Sequence, residues 1–180
     1  MSSHAKPSIR PTVPYFSSGP TKKRPGWSPT FLDDACISRS HRSEPAKQKI
    51  NNAMALAREI LGLPDAYRIG IVPGSDTGAV EMTMWSMLGA RGVEVLAWES
   101  FGWDWLNDAV NQLEIDPITR VVPYGQLPDL SAVDFGNDVL FTWNGTTSGV
   151  KVPDGGWIPD DRTGLTITDA TSACFAMELP

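Results

Sequence analysis

A strand-like run from Arg68 to Val72 breaks at Pro73-Gly74 and is followed by Ser75-Asp76-Thr77-Gly78, which opens a helical pattern. A turn of this kind leaves the first N–H groups of the helix unpartnered and aimed at one point, with the positive end of the helix dipole behind them. Glycine lets the backbone approach closely, and Ser75 and Thr77 add hydroxyl donors. The chemistry this suits is anion binding, with a phosphate as the first candidate. The glycines at 70, 74 and 78 stand four apart, so they do not form the G-x-G-x-x-G of a dinucleotide fold. No Lys-Ser/Thr follows to make a nucleotide P-loop. Asp76-Thr77-Gly78-Ala79 also reads like the catalytic tetrapeptide of aspartic proteases, in which two such Asp residues share a proton. Those enzymes need the Asp at the end of an apolar strand in an all-β protein. Here Pro73-Gly74-Ser75 precedes it and a helix is expected to follow, so a protease is the remote alternative.

A second chemical group is the carboxylate of Asp169, which follows the apolar run Leu165 to Thr168 and precedes Ala170-Thr171-Ser172. At a strand end it could bond a protonated ring nitrogen, the partner that a pyridinium cofactor needs to remain an electron sink. Alternatively it closes a turn or caps a helix. Thr146, in the Gly-rich stretch Asn144-Gly145-Thr146-Thr147-Ser148-Gly149, could hydrogen-bond a ligand or only shape the turn. The seven Trp residues fill a core or offer flat faces to ligands, and core filling is the expected role of most of them. In His41-Arg42 the guanidinium fork suits bidentate phosphate or carboxylate binding with the imidazole as a second donor, or both side chains are simply solvated, and Arg39 could share either role.

The elements that must position these groups follow from periodicity. Ser43 is an N-cap candidate for a helix presenting Ile50, Met54, Ala57, Ile60 and Leu61 on one face, ended by Gly62 and Pro64 and expected to pack on a sheet. A second helix carries Val80, Met84, Trp85, Met87 and Leu88, and a third carries Trp103, Leu106, Ala109, Val110 and Leu113. Strands are expected at 68–72, 93–97, 119–122, 138–143 and 165–168. This alternation predicts an α/β domain with a mostly parallel sheet flanked by helices, with the ligand at the carboxyl ends of the strands. The first forty or so residues, rich in proline and turn signals, read as an extended arm.

The chain has 180 residues, 41% of them hydrophobic and 20% charged, which is the make-up of an ordinary globular domain. A net charge of −6 without a basic stripe argues against nucleic-acid binding, and Lys22-Lys23-Arg24 reads as a solvated turn. Cys36, Cys174, His4 and His41 have no metal-site spacing. No stretch has membrane-spanning length and the first residues do not read as a signal peptide, so a cytoplasmic, metal-free protein is expected.

Taken together, Phe16-Ser17-Ser18-Gly19-Pro20-Thr21, Ser40-His41-Arg42-Ser43, Pro73-Gly74-Ser75-Asp76-Thr77-Gly78, Trp103, Asn144-Gly145-Thr146-Thr147-Ser148-Gly149-Val150 and Asp169-Ala170-Thr171-Ser172 form an ordered set. In order and spacing the sequence resembles, nearly end to end, the class V, fold-type I pyridoxal-phosphate aminotransferases. It departs from their better-known bacterial branch, whose more glycine-rich turn contains an arginine where this chain has Gly74-Ser75-Asp76-Thr77. The resemblance implies an amino-terminal arm and substrate segment over 1–42 and a cofactor-binding large domain from 43 to 180. It places Gly74, Ser75, Asp76 and Thr77 around the pyridoxal 5'-phosphate phosphate, mainly through backbone N–H groups; the Asp76 carboxylate is an odd neighbour for an anion and is expected to cap the helix instead. It further implies Trp103 stacked on the ring, Thr146 near the phenolic oxygen, Asp169 on the pyridine nitrogen, and His41 and Arg42 on the substrate's phosphate.

The reaction implied is amino transfer from glutamate to 3-phosphohydroxypyruvate, giving O-phosphoserine in serine biosynthesis, by a cytoplasmic homodimer. The family's Schiff-base lysine lies downstream of the Asp169 position. Of Lys6, Lys22, Lys23, Lys47, Lys49 and Lys151 none follows Asp169, and Lys151 does not match the family position. The chain is therefore expected to be the amino-terminal part of an enzyme and inactive alone. The alternatives are another class V aminotransferase with a different acceptor and a noncatalytic anion-binding fragment.

Overall fold

The structure, a computed structural model, describes residues 8–9 and 23–180. The Phe16–Thr21 motif, Lys6 and Lys22 lie outside the described residues. The chain divides into two compact units, one ending at Gln48 and one running from Lys49 to Pro180. The boundary thus falls inside helix α1 (Glu44–Ile60) rather than at the expected 42/43.

In the first unit Ser28 caps a 3-10 turn, Pro29–Leu32, by accepting from the Thr30 N–H at 3.3 Å. Lys23 and Arg24 lie over the rings of Trp27 and Phe31, at 5.1 and 4.5 Å from the ring centres. That pair therefore serves local cation–π contacts. Ser43 precedes α1, but its buried hydroxyl has no partner, so the expected side-chain cap is not made.

The expected burial of α1 on a sheet does not occur. Ile50, Met54 and Ala57 are half-buried, Ile60 is 66% exposed, and no residue of the helix is fully buried. Arg58 turns the following chain back along the helix end instead, donating to the carbonyls of Pro64 and Tyr67, each at 2.6 Å. The run 68–72 is correspondingly not a strand: it pairs with nothing among the described residues, and Ile71 is 65% exposed. β-forming residues describe a surface that can pair, and pairing needs a ladder within reach.

The second unit is built on four parallel strands, β1 (Val93–Ala97), β2 (Ile118–Val121), β3 (Asp138–Thr142) and β6 (Thr166–Asp169), in the order β2-β1-β3-β6. A two-stranded antiparallel ribbon, β4 (Asn144–Gly145) with β5 (Val150–Lys151), follows β3. β1 and β3 are buried at every position, as central strands covered on both faces are, and their two buried carboxylates are partnered, Glu94 by the Arg120 guanidinium and Asp138 by the Leu165 N–H at 2.8 Å.

Strand alternation sorts their side chains into two layers. Val93, Val95, Leu140 and Ile167 pack with Met84 of α2 (Ser75–Met87) and with Trp105 and Ala109 of α3 (Ser100–Asn111). Leu96, Val139 and Phe141 pack on the opposite face with Trp98, Phe135, Trp143 and Val152. The α/β class and the mostly parallel sheet with flanking helices are as the sequence predicts. Among the described residues no helix is long and apolar enough to cross a membrane.

Candidate functional site

The chain leaves β1 for β2 on one side, and β3 lies on the other side of β1, so the sheet changes direction at β1/β3. In open α/β sheets that switch point, outside the carboxyl ends of the strands, is where ligands bind. A crevice of about 100 Å³ lies there, lined by Asp76, Phe101, Thr142, Asn144, Thr146, Asp169, Thr171 and Ser172. It carries two carboxylates, those of Asp76 and Asp169, and no cationic side chain.

The turn into α2 is tightly built. Gly74 is the N-cap, at φ 96°, and Ser75 follows at φ 61°, a left-handed conformation that costs a non-glycine residue on the order of 1 kcal/mol or more. A Cβ on Gly78 would lie 2.7 Å from the Pro73 carbonyl oxygen, so only glycine lets the helix start so close to the turn. Because the N-cap is Gly74, it has no side chain with which to cap. Asp76 stands in the first helical turn and faces the crevice, whereas Gly74, Ser75 and Thr77 belong to the same turn without lining it. An Asp in a first helical turn beside a parallel sheet excludes the aspartic-protease reading, which needs that residue at a strand end in an all-β domain.

Asp169 ends β6, in register with Thr142 at the end of β3. Its Oδ1 accepts from the Thr171 N–H at 3.0 Å and its Oδ2 from the Trp105 Nε1–H at 3.2 Å. With about four acceptor sites on a carboxylate, capacity remains for a further donor. The Thr142 Oγ1 is buried with no partner, and the Thr146 hydroxyl donates to the Ser172 Oγ at 2.8 Å.

Trp103 is not among the lining residues; its ring packs edge-on against Tyr124 with centroids 5.2 Å apart. The lining aromatic is Phe101. Residues two apart on an α-helix point about 200° apart, while residues four apart share a face. Phe101 and Trp105 share the face toward Asp169, and Trp103 cannot. The i, i+4 aromatic pair is the signal that could have located this wall in the sequence. His41 and Arg42, both exposed, lie in the first unit, where the Arg42 N–H donates to the Ser40 Oγ at 3.1 Å.

A residue that sequence reasoning missed holds the crevice walls together. Glu99 is fully buried and caps α3, its Oε1 accepting from the Gly102 N–H at 2.8 Å. Its Oε2 accepts from the Thr147 hydroxyl at 2.9 Å, beside Thr146. One carboxylate thus joins the helix that carries Phe101 to the turn that carries Thr146. A Cβ on Gly145 would come within 2.6 Å of the Glu99 Cγ, so this joint closes only around a glycine.

Burial pushes the Cys174 thiol above its usual pKa, and the Asp169 carboxylate raises it further. The neutral thiol's contribution to stability is complete below the unfolded value of about 9.0 and is lost as pH rises through the higher folded one. In Asp169→Asn the repulsion disappears, so Cys174 should be alkylated faster at mildly alkaline pH. Rates of iodoacetamide labelling against pH check this, and an unchanged profile would remove the charge coupling.

No protein-family model matches the chain. Over 177 residues, 97% of this chain, it is 59% identical to the phosphoserine aminotransferase of Methanosarcina mazei and, over the same length, 58% identical to that of Methanosarcina barkeri. By sequence the chain is a relative of phosphoserine aminotransferases. It spans about half the length of these relatives, 48% of each. Among solved structures, a phosphoserine aminotransferase from Cytophaga hutchinsonii superposes with a TM-score of 0.72 at 19% identity, covering 83% of this chain and 42% of that one. A pyridoxal-phosphate-bound phosphoserine aminotransferase from Trichomonas vaginalis gives a TM-score of 0.59 at 17% identity, with coverages of 80% and 41%. At such identities these two establish the shared fold.

Proposed function

We propose that the protein to which this chain belongs is a phosphoserine aminotransferase that moves an amino group from glutamate to 3-phosphohydroxypyruvate, forming O-phosphoserine in serine biosynthesis. The observation that carries the reading is the 59% identity to an enzyme of that name along 97% of the chain. It would act in the cytoplasm, in keeping with its acidic, ordinary globular composition, and as a homodimer.

Pyridoxal phosphate fits the residues present. The crevice offers a strand-end carboxylate with acceptor capacity to spare, an unpartnered buried hydroxyl at Thr142 and an aromatic wall at Phe101, and the first turn of α2 reaches it at Asp76. When bound, pyridoxal phosphate supplies an electron sink and a carrier for the amino group. Asp169 would hold the ring nitrogen protonated, Phe101 would cover the ring in place of the expected Trp103, and the N–H groups of Ser75, Asp76 and Thr77 would face the phosphate. Thr146 and Thr142 would supply hydroxyls to the ring's polar substituents. Phenylhydrazine-sensitive cofactor absorbance in the full-length protein tests this; a protein that stays colourless with excess cofactor overturns it.

His41 and Arg42 are proposed to read the substrate's phosphate. Arg42→Ala in the full-length enzyme should weaken 3-phosphohydroxypyruvate by about tenfold to a hundredfold, the scale of a lost charge-assisted hydrogen bond, while glutamate is little affected. Steady-state KM values for both substrates check it. Equal losses would give Arg42 a structural role, and efficient turnover of unphosphorylated acceptors instead would point to another class V aminotransferase.

A further inference from the structure

We propose that Trp105 is a positioning residue for the Asp169 carboxylate, an inference that rests on the reading of Asp169 as the partner of the cofactor ring. Asp169 has one local donor, the Thr171 N–H two residues on, and one distant donor, the Trp105 indole N–H, 64 residues away in sequence. The local donor alone leaves the carboxylate free to turn about its Cβ–Cγ bond. A second donor on the other oxygen fixes its plane.

Trp105 is suited to that task on three counts. Its indole is 3% exposed and set among Met84, Val93, Val95, Ala109, Leu140 and Ile167, so its rotamer is fixed by packing. Its Nε1–H is a donor only, which matches a carboxylate that has to remain an acceptor. It also stands one helical turn from Phe101 on the same face of α3. One rigid helix therefore sets both the aromatic wall of the crevice and the orientation of the carboxylate.

The test uses the full-length protein with pyridoxal phosphate. Trp105→Phe removes the N–H while keeping an aromatic ring, and Val139→Ala, in the core cluster on the opposite face of the sheet, serves as the packing control. Trp105→Phe is expected to retain cofactor but to shift the pH midpoint of its absorbance and to lower kcat about tenfold, the scale of one buried hydrogen bond, with the KM for glutamate nearly unchanged. Val139→Ala is expected to lower thermal stability and leave the absorbance midpoint in place. An unshifted midpoint in Trp105→Phe, or the same shift in both variants, overturns the proposal.

If Trp105→Phe fails to fold, the indole 15N–1H resonance of Trp105 in cofactor-free protein decides. It should move in Asp169→Asn, and an unmoved resonance overturns the inference. Should the unaltered protein take up no pyridoxal phosphate, the reading of the crevice fails separately, and the indole resonance still reports whether Trp105 holds Asp169.

Discussion

Asp169→Asn in the full-length protein is expected to cut transamination by roughly 10²–10³-fold in kcat, the scale for removing one preorganised charge from the reacting centre. An amide is neutral and cannot hold a ring nitrogen protonated, so the change removes the group's charge while preserving its shape. The fold should survive. Asn can keep the bond from the Thr171 N–H through its oxygen, but its NH₂ then meets the Trp105 Nε1–H, donor against donor, where Oδ2 accepts at 3.2 Å. That mismatch should cost about 1–3 kcal/mol of stability, the price of a buried donor left unsatisfied. Thermal unfolding and steady-state turnover measured on the same preparation separate the two effects. Near-native turnover would remove Asp169 from the mechanism.

The second large effect concerns covalent attachment of the cofactor. The 180-residue chain, treated with pyridoxal phosphate and borohydride, is expected to acquire no cofactor on a crevice lysine, whereas a polypeptide of the relatives' length is expected to acquire one. No lysine lines the crevice. The Lys151 ammonium, on the β4–β5 ribbon, donates to the carbonyls of Val152 and Pro153, both at 3.0 Å. Lys47 pairs with Glu44 at 3.1 Å, and Lys23 sits over Trp27. Amino transfer of this kind needs an amine that holds the cofactor and moves a proton, and the crevice as lined offers only carboxylates, hydroxyls, amides and an aromatic ring. Peptide mass mapping after reduction identifies the modified residue. Stoichiometric labelling of Lys151 with turnover by the 180-residue chain would give that lysine the catalytic role denied to it here.

Much of the second unit was legible in the sequence because its information is local. Val93–Ala97 and Asp138–Thr142 are dominated by apolar and β-branched residues, which is what a strand covered on both faces requires, and each is buried throughout. The glycine turn before α2 could be read from Pro73, Gly74 and Gly78, since their backbone constraints act within a few residues. The placement of Asp169 beside the turn at Asp76 followed from the parallel sheet, which brings strand ends to one rim.

What only the tertiary structure decided depends on partners distant in the chain. Arg68 to Val72 has the residues of a strand but no neighbouring ladder, and α1 has an apolar face that finds no fully burying surface. The sequence also offered three aromatics on α3 without saying which way the helix is turned. Packing of Trp105 among Val93, Val95 and Leu140 settles that rotation, sending Phe101 to the crevice and Trp103 to Tyr124. Glu99 and Thr142 were invisible for the same reason. A buried carboxylate or hydroxyl is identified by what it meets, and Glu99 meets Thr147 48 residues away, while Thr142 meets no partner.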